Sequence, residues 1–302
     1  MAEFYSNGKL LLTSEYAVLD GAKALAVPTK FGQSLKVKSR KNKHLTWRSF
    51  DHKGALWFEA NFKEAQNTLE VLSTSNTEIA QRLIQVLDSA VQLSLNPPCL
   101  NDQIIETHLD FDRNWGLGTS STLINNLANW FQINPYNLLQ ATFGGSGYDI
   151  ACAQLNQPLV YELSSTGPLA IAIDLQWDFK DHLYFVYLNQ KQNSRLGIAN
   201  YRSRNRITPK DVERLNSITA ALISANKMKE FEALIHEHNT IIGHLIGQEP
   251  LGQTVFSDFK GSIKNLGAWG GDFILVSSKN NPSTYFRSKG FGVVLPFSAM
   301  VK

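Results

Sequence analysis

Residues 115–131 read WGLGTSSTLINNLANWF, and the way this stretch folds decides what the chain can be. Leu123, Ile124, Leu127, Ala128, Trp130 and Phe131 recur at helical spacing, which predicts a helix that starts at Thr119 or Ser120 and buries that face. Gly116, Leu117 and Gly118 then lie in the loop that feeds the helix N-terminus. Such an end carries unpaired N–H groups and a partial positive charge, and it attracts phosphate. Glycines let backbone approach an anion with no Cβ in the way, while Thr119, Ser120 and Ser121 supply hydroxyl donors or a magnesium ligand. A plainer reading fits the same letters: Thr and Ser cap the helix, and the glycines turn the chain.

Around this stretch lie 302 residues, 43% hydrophobic and 18% charged, a size and texture that suit two domains or one large one. The net charge of +3 is dispersed apart from the run KVKSRKNKH at 36–44, which reads as a strand end and its loop, so nucleic acid is not an expected partner. Cys99 and Cys152 are too few for a disulfide framework and have no metal-ligand spacing, and both are expected as buried thiols of a reducing compartment. No uninterrupted apolar run approaches the roughly 18 residues of a membrane helix. The opening MAEFYSNGK has no leader pattern. A soluble, cytoplasmic protein without a membrane partner is the expectation.

The texture changes near residue 165. Before it, strand-like runs (KLLLTSEYAVL at 9–19, QSLKVKS at 33–39, HLTWRSF at 44–50, GALWFEANF at 54–62, QIIETHLDF at 103–111) mix with a few helices, among them 78–94 with Ile79, Leu83, Leu87, Ala90 and Val91 on one face. After it, apolar strands are expected near 169–177 and 182–188. Two long helices follow, one opening at the cap-and-proline pair Thr208-Pro209 and running to about 225, the other covering 228–247. Strand FILVSS, helix PSTYFRSK and strand GVVLPF close the chain. Antiparallel sheets with helices segregated to one face make an α+β protein of two domains, 1–165 and 166–302.

Familiar phosphate loops are absent. There is no G-x-x-x-x-G-K-[ST], and the third glycine of a G-x-G-x-x-G falls on Ser121. Neither the His-Arg-Asp loop nor the Asp-Phe-Gly of protein kinases occurs, and Ser146 in GGSGYD lacks the second glycine of a nucleophile elbow. His236, His238 and His244 fall on different helix faces and read as surface residues rather than metal ligands. Three further segments stand with the loop: NGKLLLTSEYAVLDG at 7–21, GGSGYDIACA at 144–153 and LGAWGGDFILVSS at 266–278. Each alone could be a bare turn.

In this order the four segments resemble the GHMP small-molecule kinases, the family of galactokinase, homoserine kinase, mevalonate kinase and phosphomevalonate kinase. The first is similar to the family's opening P-G-K-L-x-L-x-G-E-Y/H-A-V, GLGTSST to its G-L-G-S-S-A loop, GSGYDIA to its S-G-x-D element and GAWGGD to its late G-A-G-G-G. Phosphomevalonate kinases, then mevalonate kinases, are the most similar members. The resemblance implies an N-terminal domain like ribosomal protein S5 domain 2, which binds ATP, and a ferredoxin-like C-terminal domain. It implies Asp149 as the base that takes the acceptor hydroxyl's proton, with Lys9 beside it holding that carboxylate ionised and offsetting charge on the transferred phosphoryl. Gly116, Leu117, Gly118, Thr119 and Ser121 would wrap the triphosphate of ATP, with Ser120 as ligand to Mg2+. Glu15, Ser146, Gly147, Gly270 and Gly271 would line the substrate side.

The sequence also departs from the family. Asn7 replaces the proline, Ser14 the glycine before the glutamate, and Trp269 a glycine; Leu138 stands where mevalonate kinases place a magnesium-binding glutamate. The stretch NQKQNSRLGIANYRSR at 189–204 falls where mevalonate-pathway members place a substrate loop, and Lys191, Ser194 and Arg195 would suit an anionic acceptor, although a plain solvated basic loop fits too. Three readings stay open: a kinase of mevalonate, phosphomevalonate or another small alcohol, a catalytically silent metabolite sensor, and a decarboxylase of a diphosphorylated relative. The oligomeric state stays open as well, a homodimer included.

Overall fold

The computed structural model describes residues 1–41, 43–65, 68–204 and 206–302; Asn42, inside the basic run at 36–44, lies outside them. In chain order the strands are β1 Ala2–Leu11, β2 Ala24–Ser39, β3 Leu45–Phe50, β4 Leu56–Ala65, β5 Thr68–Thr74, β6 Gln103–Leu109, β7 Leu159–Ser164, β8 Gly167–Ala172, β9 Leu183–Tyr187, β10 Ser262–Asn265, β11 Phe273–Ser277 and β12 Val294–Pro296. The helices are α1 Thr77–Leu93, α2 Thr119–Phe131, α3 Pro135–Thr142, α4 Tyr148–Gln154, α5 Ser194–Arg204, α6 Pro209–Ile223, α7 Met228–Ile246, α8 Ser283–Ser288 and α9 Phe297–Met300. Two compact units divide the chain, one of residues 1–8, 31–113 and 117–154, the other of 9–30, 114–116 and 155–302. The fold is α+β, as the patterning predicts.

In the first unit the strands run β5-β4-β3-β6-β2. β3 and β6 pair in parallel from Leu45↔Gln103 to Phe50↔His108, whereas β2 with β6, β3 with β4 and β4 with β5 pair antiparallel. Alternation along β2 turns Leu35 and Val37 inward, where they join Trp47, Phe58, Phe62, Leu83, Leu87, Ile124, Leu127 and Phe131 in one core. Helix α1 begins where Asn76 Oδ1 accepts from the Ile79 N–H at 3.0 Å, a side-chain cap that satisfies an orphan donor. Its apolar face and that of α2 are the ones the periodicity marks. Strand β5, with its exposed Leu72, has no apolar alternation to announce it and is not among the expected strands.

The second unit contains an antiparallel sheet in the order β10-β11-β9-β12. Numbered by chain position its strands read 4-1-3-2 from one edge, with helices between the first and second strands and between the third and fourth, which is the ferredoxin-like arrangement. Helix α6 starts in a full capping box, Thr208 and Asp211 bonding each other's backbone N–H. Helix α7 buries Phe231, Ile235, Ile242, Leu245 and Ile246.

Several expected features differ. The strand expected over 9–19 ends at Leu11. Ser14 and Tyr16 take left-handed backbone angles (φ 60° and 63°), and Ala17–Asp20 form a 3-10 helix. Hydrogen bonds to other segments outcompete strand propensity here: Ser14 Oγ donates to Lys23 O at 2.7 Å and the Ser14 N–H donates to His238 Nε2, 224 residues away, at 2.8 Å. That contact also corrects the surface reading of His238, which is wholly buried because it falls on the same α7 face as Ile235, Asn239 and Ile242. His236 and His244 are exposed as expected. Cys152 is buried, but Cys99 is exposed, placed in the irregular stretch before β6. The strand expected over 169–177 stops at Ala172.

Candidate functional site

In the first unit the quoted stretch forms its helix where the spacing puts it, at Thr119. Gly118 is the N-cap, with φ 97° and ψ 43°, and no side chain caps the helix. Two nearby hydroxyls are engaged within the protein: Ser121 Oγ donates to Gly118 O at 2.9 Å and Thr122 Oγ1 to Gln33 Oε1 at 2.8 Å. Leu117 is fully buried, whereas Thr119 is half-buried and Ser120 exposed. An uncapped helix end with a glycine in the left-handed region and one outward hydroxyl is equipped to receive an anion.

Asp149 lies in the first turn of α4, half-buried, with its Oδ1 accepting from the Ile150 N–H at 3.1 Å. Gly144, Gly145 and Gly147 before it all have positive φ, and a Cβ at either of the first two would meet open space. Ser146 and Gly147 are buried. Burial, with the charges of Asp149 and Cys152 behind it, pushes the Tyr136 phenol on α3 up to about 12. Leu138, at the family's magnesium position, is a fully buried core residue of α3.

In the second unit Lys9 Nζ donates to Gly116 O at 3.0 Å. Gly116 itself has φ 67°, and a Cβ there would fall onto the Asp272 carboxylate. Asp272 ends the glycine-rich turn before β11. Its N–H donates to Gln190 O at 2.7 Å, its carbonyl accepts from the Leu188 N–H at 2.9 Å, and its Oδ1 accepts from the Gln192 N–H at 3.2 Å. Gly271 has no room for a Cβ, which would meet Gln190 O and the Gln192 side chain, and Gly270 needs φ 83°. Burial pushes the Asp272 carboxyl above its ordinary range, opposed by Lys9, the Gln192 N–H and Lys191. The Trp269 departure has a packing reason: its indole is 2% exposed and fills the core formed with Tyr16, Tyr201, Leu215 and Ile242.

The stretch 189–204 differs from the expected loop. Its first residues are laced to the Asp272 turn, and from Ser194 onward it is helix α5, with Ser194 and Arg195 exposed at the start. Tyr201 Oη and Arg202 Nη1 each donate to an Asp20 carboxylate oxygen at 2.5 Å, and Tyr16 stacks on Tyr201 with ring centroids 5.5 Å apart. These contacts hold α5 against the 3-10 helix.

Glu15, expected to face substrate, is instead 1% exposed and meets Lys264, which is equally buried and also donates to Asn265 O. His238 Nε2 lies 3.6 Å from Glu15 Oε2. Burial pushes the Glu15 carboxyl up and the Lys264 ammonium down, each partly restored by the other; burial and then the Lys264 charge drive His238 well down, so the imidazole is neutral. Nothing in the sequence signals Lys264, an ordinary-looking lysine in a strand. Asp272 closes the GGD triplet, and its signal in the sequence is only that it follows two glycines.

No family model matches the chain, and no curated relative matches it. Solved structures do. A Streptococcus pneumoniae phosphomevalonate kinase in complex with phosphomevalonate and AMPPNP is 14% identical with a TM-score of 0.68, covering 96% of this chain and 95% of that one. The Methanococcus jannaschii mevalonate kinase is 12% identical with a TM-score of 0.70, covering 96% and 94%. A D-glycero-D-manno-heptose 1-phosphate kinase from Bacteriodes thetaiotaomicron is 12% identical with a TM-score of 0.65, covering 99% and 95%. The chain has the two-domain α+β fold of the GHMP small-molecule kinases. Within that class, the phosphomevalonate and mevalonate kinases named here are among the proteins it is similar to.

Proposed function

We propose that this protein is an ATP-dependent kinase that transfers the γ-phosphoryl of ATP to a small anionic acceptor of the mevalonate type, phosphomevalonate or mevalonate. The observation that carries the proposal is the N-terminus of α2: an end with no side-chain cap, introduced by glycines at φ 67° and 97° and carrying the exposed Ser120, within this fold. Backbone N–H groups at such an end suit the phosphates of ATP. Magnesium bound with those phosphates supplies charge neutralisation. Ser120, exposed at that end, is the proposed side-chain ligand for it. Leu138 is apolar and buried, and among the described residues no group of three or more His, Cys, Asp or Glu could hold a metal ion. The metal that fits is therefore one carried in by the nucleotide.

Asp149 is proposed as the proton acceptor for the attacking group, the hydroxyl of mevalonate or the phosphate of phosphomevalonate where that still carries its proton, and Lys9 as the cation that offsets phosphoryl charge, roles that rest on their motif positions. Lys191 and Arg195 are the proposed acceptor-side cations. The buried Glu15 is left out of direct substrate contact. An ADP-release assay across mevalonate, phosphomevalonate, homoserine and several sugars tests the proposal, with one of the first two expected to give the highest kcat/KM. Asp149→Asn is expected to abolish that turnover while AMPPNP affinity in Mg2+ stays near wild type. Release of no ADP with any acceptor, or an Asp149→Asn variant that keeps most of its rate, overturns the proposal.

A further inference from the structure

Gly116 is held from two sides. Lys9 Nζ donates to its carbonyl at 3.0 Å, and the Asp272 carboxylate covers its Cα so closely that no side chain fits. Asp272 is itself fixed by three hydrogen bonds to residues 188–192, although its backbone sits at φ 50°, where a non-glycine residue is uncommon. Gly270 and Gly271 before it have the conformations that bring this turn against Gln190 and Gln192. A strained aspartate kept in so constrained a place calls for a physical reason. Structural support alone needs no charge there. The hydrogen bond its carboxylate accepts from the Gln192 N–H would be made equally well by an asparagine.

We propose that Asp272 is a positioning residue for Lys9, its carboxylate holding the ammonium at the Gly116 carbonyl from across the glycine. The Lys9 charge acts on Asp272 in return, favouring its ionised form against the burial that opposes it. An ammonium on a long flexible stem loses considerable rotamer freedom when fixed, and an anion held over the Cα of the same glycine whose carbonyl the ammonium meets narrows its choices before any nucleotide arrives. The inference rests on the proposed kinase activity for its consequence but not for its geometry, which lies wholly among residues 9–30, 114–116 and 155–302.

The test compares wild type, Asp272→Asn, Lys9→Met and the double variant. Asp272→Asn removes the charge while keeping an acceptor for the Gln192 N–H. It is expected to lower kcat for acceptor-dependent ADP release by about 10- to 100-fold, with the KM for ATP moved by less than about threefold, as misplacement of a charge-offsetting group would produce. In the Lys9→Met background the same change is expected to cost nothing further. An Asp272→Asn variant with wild-type kcat, or one that costs the same factor in both backgrounds, overturns the positioning role and leaves Asp272 as a turn residue. Thermal midpoints of the four proteins read the link independently of turnover. Midpoint losses that overlap in the double variant support it even if wild type releases no ADP, in which case only the kinase proposal fails. Additive losses overturn it.

Discussion

The pair Glu15 and Lys264 offers a sharp quantitative test of the second unit. Both side chains are 1% exposed, and the ammonium donates both to the carboxylate and to Asn265 O. Lys264→Met would leave a carboxylate enclosed by Tyr16, Trp269 and a neutral His238, with no cation to answer it. Breaking one side of a buried pair costs about 3–5 kcal/mol, because the remaining charge stays desolvated. Glu15→Leu, which strands the ammonium instead, is expected to cost about the same. The double variant Glu15→Leu/Lys264→Met removes both charges at nearly constant volume and loses the Asn265 contact, so its stability should fall within about 1–2 kcal/mol of wild type. Simple addition of the single losses would give about 6–10 kcal/mol, and the shortfall is the coupling. Urea unfolding followed by tryptophan fluorescence reads all four proteins through the midpoint, with the slope m unchanged. Single variants close to wild type, or a double variant as unstable as the sum, would refute the reasoning.

Three further outcomes follow from the same structure. His238 is buried neutral with its pKa driven down; the folded state therefore refuses a proton that the unfolded chain accepts below about pH 6.5, so stability is complete above that pH and lost as pH falls, by about 1.4 kcal/mol between pH 7.5 and 5.5. In a His238→Gln variant this component of the pH dependence of the thermal midpoint should disappear, and an unchanged slope would contradict it. Gly116→Ala places a Cβ on Asp272 at φ 67°; the backbone part alone costs about 1–2 kcal/mol, so the thermal midpoint should drop and recover in part when Asp272→Gly clears the space. Ser120→Ala, which removes an exposed hydroxyl, should leave the midpoint unchanged but weaken AMPPNP binding in Mg2+ and flatten its magnesium titration.

What could be read from the letters was what depends on local pattern. Apolar spacing located α1, α2, α6 and α7 to within a residue or two, because each buries one stripe. Thr208-Pro209 marked a helix start because the cap and the first-turn proline are both local chemistry. The glycines of the α2 loop and of the 267–272 turn were legible for the same reason, since positive φ is what glycine permits at low cost. Long-range partnerships were not legible. Ser14 gives up its strand because of His238, which lies 224 residues away. Lys264 looks like any strand lysine until Glu15 arrives beside it, and Asp272 acquires its meaning only when Lys9 and Gly116 are in place. The stretch 189–204 read as a loop because α5 has little amphipathic pattern of its own: among its residues only Tyr201 is buried, and contacts to Asp20 do the holding.

The N-terminus of α2 is proposed to receive the phosphates of a nucleotide. Hydrogen exchange at the amides of residues 118–121, measured with and without AMPPNP and Mg2+, addresses it directly. Exchange at these amides is expected to slow on adding the nucleotide, with a smaller effect in Ser120→Ala. Saturable nucleotide binding that leaves their exchange unchanged, or no binding at all, would contradict it.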